Sequence, residues 1–298
     1  MNILVTGAWI SAKEYISILE KMGHKVWFLQ QEKDKLPCSP SDIEGVICNG
    51  LFLYHDIEAF VNLRYIQLTS AGMDRIDLEY VKKKGIEIHN AKGVYSIPIA
   101  EFVLASLLAE YKKLNDFRIF QNQSFWNKQR DLKELFGSTV CILGCGSIGN
   151  ECAKRFKAFG SQVIGLNRTL RQDANYDQML PLSELDWALS RSDIILLSLP
   201  LTNESKHIMN ASRLAHCKQG AMLVNVARGG LIDTEALMKY ASRFSAIFLD
   251  VFEEEPLSST HPLWNMENVR ITPHNSFVGN HNSDRLNQVI LKNLEDLL

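Results

Sequence analysis

Short apolar runs alternate with segments of helical periodicity along most of this chain, a pattern typical of parallel α/β folding. In the first part, apolar and β-branched runs predict five strands, at residues 3–6, 25–29, 45–48, 65–69 and 86–89. Helices are predicted between them at residues 11–22 and 77–84, and Gly23 and Gly85 stand where each would stop. This part therefore predicts a flavodoxin-like layer of five strands.

A second series of strands, again separated by helices, is predicted at residues 139–143, 162–166, 193–199, 221–226, 245–249 and 268–271. This series predicts a second doubly wound parallel sheet. Residues 97–114, between the two series, form a helix that is apolar on most of its surface. Such a helix is either deeply buried or part of a subunit interface, and we favour the interface because a helix between two domains has little else to cover. A last helix is predicted at about residues 284–298.

Composition narrows the class of protein. A chain of 298 residues suits two domains, and a net charge of −2 does not resemble the basic surface of a nucleic-acid-binding protein. The six cysteines contain no CxxC pair and belong to no His/Cys cluster, so we expect reduced, inert thiols and no metal site. Without a signal peptide or an apolar run long enough to span a bilayer, the sequence predicts a soluble cytoplasmic protein with no membrane partner.

A glycine-rich run stands at the start of the second series. Gly144, Gly146 and Gly149 form a G-x-G-x-x-G pattern that follows the strand at 139–143 and opens a helix whose apolar face extends to Phe159. Strand, glycine turn and helix in that order are the context that a dinucleotide-binding fingerprint requires. A glycine turn without a ligand is the less favoured alternative.

Each glycine of this run has a physical reason. Gly144 permits the tight turn, Gly146 lets the backbone approach a pyrophosphate, and Gly149 lets helix and strand pack closely. The amides of the first helical turn, at Ser147 and Ile148, would then hold the anion at the positive end of the helix.

The end of the following strand bears on the choice of cofactor. NAD sites place a carboxylate there to bind the ribose 2′-hydroxyl, but this chain has Asn167, Arg168 and Thr169. Arg168 could pair with a 2′-phosphate, and its neighbours could add hydrogen bonds. We therefore expect NADP(H) to be preferred, with NAD(H) possible; the alternative is that Arg168 is a solvated surface arginine.

Charged residues also follow three later strands. Arg228 follows the strand at 221–226, Asp250 and the glutamates 253–255 follow the next, and His274 follows the last. In open α/β sheets ligands gather at such strand ends, where a guanidinium can grip a carboxylate and an imidazole can donate a proton. Taken singly, each could be a surface ion pair, a solvated loop charge or a structural histidine, and composition alone does not select one glutamate.

Taken together, these segments resemble the D-isomer-specific 2-hydroxyacid dehydrogenases, a family that includes glyoxylate/hydroxypyruvate reductases and D-3-phosphoglycerate dehydrogenases. The resemblance covers nearly the whole chain. The matching runs are AKGVYSIPIAE (91–101), VCILGCGSIG (140–149), LSLPLT (197–202), LVNVARGGLID (223–233), LDVFEEEPL (249–257) and ITPH (271–274).

The resemblance implies roles for particular residues. Arg228, Glu255 and His274 would be catalytic, with Arg228 and His274 also touching the substrate; Glu255 is the glutamate directly before the proline. Asp250 would orient the nicotinamide carboxamide. Further expected site residues are Pro200 and Thr202 in the cofactor cleft, and Ser70, Ala71 and Gly72, with Met73, in a loop that binds the substrate carboxylate.

The resemblance also implies a discontinuous substrate-binding domain, residues 1–94 and 277–298, with a Rossmann-type dinucleotide-binding domain, residues 95–276, inserted into it. The expected protein is a homodimeric oxidoreductase that reduces a glyoxylate- or hydroxypyruvate-like 2-oxo acid. The sequence departs from the family pattern at 167–168, which bears on the cofactor, and at Asn275, Ser276 and Phe277, which bear on pocket shape.

Three alternatives remain open at this point. A D-3-phosphoglycerate dehydrogenase-like enzyme would need a further cationic pocket. A catalytically silent NAD(P)-binding module would share the fold, since fold does not dictate function. A methyltransferase could use the glycine turn for another cofactor, but it would have no obvious use for Arg228, Glu255 and His274.

Overall fold

The computed structural model describes residues 1–170 and 172–296, and the chain divides into two compact units. Unit 1 comprises Met1–Tyr95 and the chain from Gly279 onward, and unit 2 comprises Ser96–Val278. The first boundary, between residues 95 and 96, lies one residue after the expected domain limit, and the second, between residues 278 and 279, lies two residues after it. Leu297 and Leu298, which belong to the predicted last helix and the C-terminal segment of the small domain, lie outside the described residues.

Unit 1 is built on a parallel five-stranded sheet in the order β2-β1-β3-β4-β5. This is the flavodoxin-like order, and it confirms the prediction for this part of the chain. The strands are β1 (Asn2–Thr6), β2 (Lys25–Leu29), β3 (Gly45–Cys48), β4 (Tyr65–Leu68) and β5 (Glu87–His89).

Helices cover both faces of this sheet because its strands are apolar on both sides. Ile3 and Val5 of β1 pack in one cluster with the first and last helices, and Leu4 packs on the opposite face with Val81 of the second. As predicted, Gly85 ends a helix in the left-handed conformation, with φ of 67°. The helices are α1 (Ala12–Lys21), α2 (Leu78–Lys84) and α9 (Asn282–Glu295).

Unit 2 contains a parallel seven-stranded sheet in the order β12-β11-β10-β9-β6-β7-β8. This is the strand order of a Rossmann fold with one additional strand, β12, at an edge of the sheet. The first strand of the unit in the chain, β6, lies at the point where the order reverses. The sequence analysis missed the edge strand β8, because three residues are too few to show a period. The strands are β6 (Thr139–Leu143), β7 (Gln162–Leu166), β8 (Gln178–Leu180), β9 (Ile194–Leu197), β10 (Met222–Asn225), β11 (Ala246–Leu249) and β12 (Val269–Ile271).

The helices of unit 2 contribute buried apolar side chains to its core, except the helix Leu114–Asn122, in which no residue is buried. They are α3 (Ser96–Tyr111), α4 (Leu114–Asn122), α5 (Ser147–Ala158), α6 (Leu185–Leu189), α7 (Ala211–His216) and α8 (Thr234–Tyr240). The expectation that Phe159 belongs to the buried face of α5 is wrong: its side chain is 44% exposed, because the helix has already ended.

The apolar helix between the two series differs from its prediction. It is broken at Lys113, whose φ is 50°, so that α3 and α4 replace one helix. Within unit 2, α3 packs against α5 and buries Ile99, Val103 and Leu107. The reason given for an interface, that this helix has little else to cover, is therefore wrong, and the dimer itself stays a prediction.

Candidate active site

The glycine turn joins β6 to α5 and is too crowded for side chains at two of its three glycines. Gly144 has a φ of 98°, and a Cβ there would lie 2.7 Å from the Leu199 nitrogen. A Cβ at Gly149 would lie 2.2 Å from the Gly144 carbonyl oxygen. The Ser198 hydroxyl donates to that same oxygen at 2.6 Å. The tight turn and the close packing of helix and strand thus both depend on the absence of Cβ atoms.

Gly146 differs, because a Cβ there would meet no atom of the described chain within 4 Å. It is the N-cap of α5, and among the described residues no side chain caps the helix start. The amides of the first turn, beginning at Ser147 and Ile148, therefore face space that an anion could fill. This open cradle at a helix N-terminus fits the pyrophosphate of a dinucleotide.

The segment after β7 is exposed and carries a cation. The Arg168 guanidinium lies 3.5 Å from the Glu204 carboxylate, and both side chains are more than four-fifths exposed. The Asn167 side chain donates to the Thr169 carbonyl at 3.0 Å, which shapes the turn. An ion pair so exposed contributes little stability, so Arg168 can exchange its partner for another anion.

The loop after β9 is a tight turn closed by Ser205. The Ser205 hydroxyl donates to the Pro200 carbonyl at 2.7 Å, and the Thr202 amide donates to that hydroxyl at 2.8 Å. Pro200 and Thr202 therefore lie in one rigid turn at the carboxyl edge of the sheet.

Arg228 lies in the loop after β10, which is held by the last residue of that strand. The side chain of the buried Asn225 donates to the Arg228 carbonyl at 2.9 Å and accepts from the Ala227 amide at 3.1 Å. The Arg228 guanidinium donates to the Ala227 carbonyl at 2.8 Å. Both the backbone and the guanidinium of Arg228 are thus oriented locally.

Glu255 and His274 come together although 19 residues separate them. His274 Nδ1 donates to Glu255 Oε2 at 2.8 Å, and Glu255 Oε1 accepts from the Phe252 amide at 3.0 Å. Both side chains are between one third and two fifths exposed, so a substrate can reach the imidazole. Because Nδ1 of the imidazole is bound to Glu255, Nε2 is the ring nitrogen that can exchange a proton with a substrate.

Two contacts join the loops that carry these residues. A Cβ at Gly229 would lie 1.8 Å from the Phe252 carbonyl carbon, so the Arg228 loop lies directly against the backbone that leads to Glu255. Asp250, directly after β11, accepts hydrogen bonds from the chain around His274. The loops after β10, β11 and β12 therefore form one packed group.

A family model described as the NAD binding domain of D-isomer specific 2-hydroxyacid dehydrogenases matches residues 104–276. The chain belongs to this family. It is a nicotinamide-dependent oxidoreductase that interconverts 2-oxo acids and D-2-hydroxy acids.

Individual relatives of this dehydrogenase span both units. A glyoxylate reductase of Thermofilum pendens is 33% identical over 275 residues, which cover 89% of this chain and 78% of the relative. A hydroxypyruvate reductase of Thermotoga maritima is 36% identical over 225 residues, covering 73% and 72% of the two chains. A solved family member from Aeromonas salmonicida has a TM-score of 0.84 and 29% identity, with 99% of this chain and 95% of that chain covered. These likenesses favour the dehydrogenase over a methyltransferase.

The expected substrate loop of the dehydrogenase lies in unit 1, directly after β4. Its carbonyl groups accept hydrogen bonds within the unit: Ser70 Oγ donates to Gly72 at 2.9 Å, and the Asn90 side chain donates to Ala71 at 2.6 Å. The Tyr95 hydroxyl donates to the Thr69 carbonyl at 2.5 Å. With these carbonyls engaged, the amides of the loop are the groups suited to a carboxylate.

Sequence reasoning missed a second imidazole–carboxylate pair beside the first. His207 Nε2 donates to Glu253 Oε1 at 2.6 Å, and the amide and hydroxyl of Thr234 donate to the other carboxylate oxygen. Burial opposes ionisation of Glu253, but the hydrogen bonds from Thr234 and His207 outweigh it and hold its pKa below the ordinary value. Two of the three neighbouring glutamates are thus distinguished by their partners, which only the folded chain reveals.

The six cysteines are free thiols, and all except Cys38 are buried. Burial raises the pKa of Cys152 to about 12. Within residues 1–170 and 172–296, no helix has the length and apolar character needed to cross a membrane.

Proposed function

We propose that this dehydrogenase reduces a small 2-oxo acid of glyoxylate or hydroxypyruvate size, with Arg228, Glu255 and His274 as its catalytic residues. The observation that carries the proposal is the 2.8 Å contact between His274 Nδ1 and Glu255 Oε2 at the carboxyl edge of the dinucleotide-binding sheet. A carboxylate on one ring nitrogen orients the imidazole and stabilises its charge, so that the other nitrogen can act as a general acid.

When bound, the nicotinamide cofactor supplies the hydride that reduces the 2-oxo carbon. His274 Nε2 then protonates the substrate oxygen, while Glu255 holds the imidazole. Arg228 binds the substrate carboxylate and carbonyl oxygen, and the amides of Ser70, Ala71 and Gly72 in unit 1 are carboxylate-binding groups. Fixing the acid at several points converts an encounter in solution into a near-attack geometry, and the guanidinium stabilises charge that develops on oxygen.

The small size of the substrate is supported by Phe277. Its ring packs edge-on against the His274 imidazole, with 5.9 Å between ring centroids. A phenyl ring there occupies space beside the proton donor and favours a short side chain on the substrate. We expect Phe277→Ala to accept longer 2-oxo acids without a matching gain on glyoxylate.

The cofactor site is proposed to prefer NADP(H). Gly144, Gly146, Ser147, Ile148 and Gly149 would hold the pyrophosphate, and the turn of Pro200 and Thr202 would line the same cleft. Asp250 would receive the carboxamide, since a carboxylate oxygen has more than one lone pair.

Preference for the 2′-phosphate would come from Arg168, with Asn167 and Thr169 shaping the turn. Arg168→Ala should lower kcat/KM with NADPH by about tenfold or more and leave kcat/KM with NADH within about twofold. Arg191→Ala is the matched control, because that exposed arginine stacks on Trp187 in the same unit. A wild-type preference for NADH would contradict the assignment.

We further propose a cytoplasmic homodimer. The helix α4 and the segment after it expose large apolar side chains, among them Leu114, Ile119, Phe125 and Trp126, the last 89% exposed. An apolar surface of this kind is typical of an interface. Sedimentation velocity should show a dimer, and Trp126→Ser should weaken it.

The function is tested by steady-state kinetics with a panel of 2-oxo acids, including 3-phosphohydroxypyruvate, and NADPH. Turnover should be fastest with glyoxylate or hydroxypyruvate, and His274→Ala should lower kcat by about 10²–10⁴-fold. His216→Ala, on an exposed turn of α7, is the control and should behave as wild type. A strong preference for the phosphorylated acid would favour the phosphoglycerate alternative, and no turnover with any acid would favour a silent binding module.

A further inference from the structure

Asp250 carries a buried carboxylate, and its hydrogen-bond donors within residues 1–170 and 172–296 belong to the segment around His274. Its side chain is almost inaccessible, with 2% of the residue exposed. Oδ1 accepts from the Thr272 hydroxyl at 2.5 Å and from the Asn275 amide at 2.8 Å, and Oδ2 accepts from the Ser276 amide at 3.0 Å. A buried charge is tolerated only where hydrogen bonds replace its lost hydration, and here a single short segment provides them.

The backbone at the centre of that segment is strained. His274 has a φ of 50°, in the left-handed region that residues other than glycine rarely occupy. Its amide donates to the Asp250 carbonyl at 2.8 Å and to the Thr272 carbonyl at 3.0 Å. Asp250 therefore binds the chain two residues before His274, at Thr272, and directly after it, at Asn275 and Ser276, as well as the amide of His274 itself. Strain of this kind persists where the surroundings impose it, and it is concentrated at functional sites.

The strained conformation determines where the imidazole lies. With the backbone of His274 in the left-handed turn, Nδ1 reaches Glu255 Oε2 at 2.8 Å. Without the Asp250 carboxylate, the amides of Asn275 and Ser276 would lose their acceptor, and the left-handed turn would depend on the two backbone hydrogen bonds of the His274 amide. The turn would relax, and the imidazole would move away from Glu255.

We propose that Asp250 is a positioning residue for the proton donor: its buried carboxylate imposes the left-handed turn that points the His274 imidazole at Glu255. This inference rests on the proposed role of His274. It assigns Asp250 an effect that a contact with the nicotinamide carboxamide would not produce, because that contact acts on cofactor binding and not on the imidazole.

The variant Asp250→Asn keeps the shape of the side chain but replaces one acceptor oxygen with a donor. Asparagine can satisfy the partners of Oδ1 or the partner of Oδ2, but not both. Thr272→Val is the milder variant, because it removes one of three hydrogen bonds and keeps the carboxylate. Asp193→Asn is the matched control: Asp193 also accepts from a backbone amide, that of Thr139 at 2.9 Å, and it precedes β9 at the other edge of the same sheet.

We expect Asp250→Asn to lower kcat by about 10- to 100-fold, because displacement of a catalytic group by about 1 Å has effects of this size. Thr272→Val should lower kcat by a smaller factor, and Asp193→Asn should leave it within about twofold. The dissociation constant of NADPH, measured by its fluorescence, should stay within about twofold in Thr272→Val and Asp193→Asn, which keep the Asp250 carboxylate. Every kcat is measured at saturating NADPH, so that a weaker carboxamide contact in Asp250→Asn does not enter it. In the His274→Ala background, Asp250→Asn should cause no further loss, since a residue that acts only through His274 has nothing left to position.

Two results would overturn the inference. One is wild-type kcat in Asp250→Asn. The other is a loss of kcat at saturating NADPH that persists in the His274→Ala background, which would show that Asp250 does not act through His274. A crystal structure of Asp250→Asn separates this inference from the proposed role of His274. It should show the His274 φ in the negative range and the contact with Glu255 broken, whatever His274→Ala does to turnover.

Discussion

The change Gly229→Ala tests whether the loop of Arg228 and the loop of Glu255 behave as one unit. Gly229 is buried and follows Arg228 directly, and its Cα faces the peptide between Phe252 and Glu253. An added Cβ would lie 1.8 Å from the Phe252 carbonyl carbon and 2.0 Å from its oxygen. Both neighbours are backbone atoms, so no side chain can rotate to make room.

The size of the disturbance follows from these distances. Ordinary contact begins near 3.4 Å, so one of the two loops must move by about 1.6 Å (3.4 minus 1.8). A shift of half that size carries the Phe252 amide, now 3.0 Å from Glu255 Oε1, out of hydrogen-bond range. Overpacking of this kind costs about 1–3 kcal/mol of unfolding free energy, which lowers Tm by roughly 2–12 °C. Misplacing Arg228 or Glu255 by about 1 Å should lower kcat/KM by about 10²-fold.

The assay is kcat/KM with glyoxylate and NADPH, together with Tm from calorimetry. Gly230→Ala is the matched control, because the atoms nearest to its Cβ would all belong to the side chain of Leu201, at 3.2 Å or more, and a partly exposed leucine can rotate away. We expect the control to keep kcat/KM within about threefold of wild type. Wild-type kcat/KM and Tm in Gly229→Ala would show that the two loops are not in contact as described, and the reasoning would fail.

Three further predictions concern other parts of the molecule. Burial lowers the pKa of His24 below 6.5, so as the pH falls the unfolded chain takes up a proton on this imidazole before the folded chain does. The unfolding free energy, measured by urea unfolding, should therefore fall as the pH drops below about 6.5. His24→Gln should make this fall less steep, whereas the control His216→Gln should not. Because only Cys38 is partly exposed, native protein should react with a thiol reagent at no more than one cysteine within minutes, and rapid labelling of several would contradict the burial. Gly149→Ala, whose Cβ would lie 2.2 Å from a carbonyl oxygen, should weaken NADPH binding by about tenfold or more in a fluorescence titration, and unchanged affinity would refute the packing argument.

Much of the fold could be predicted because local pattern and tertiary role agree. Of the twelve strands in the described residues, eleven are predicted from the sequence, since each is a short apolar run between turn residues. Failures occurred where the local signal is weak or ambiguous. Strand β8 is too short to show a period, and the break at Lys113 carries no glycine or proline that would mark it, since Lys112 and Lys113 both suit a helix.

The sequence by itself determined the glycine turn between β6 and α5, the lack of a carboxylate after β7, and the family to which Arg228, Glu255 and His274 belong. These depend on residue type and on order along the chain, which are readable without coordinates. Only the tertiary structure decided that Glu253 pairs with His207, that Asp250 binds the turn of His274, and that Gly229 lies against the Phe252 backbone. Those contacts join loops that follow different strands and are up to 46 residues apart, so they come into being only when the parallel sheet brings its carboxyl ends to one edge.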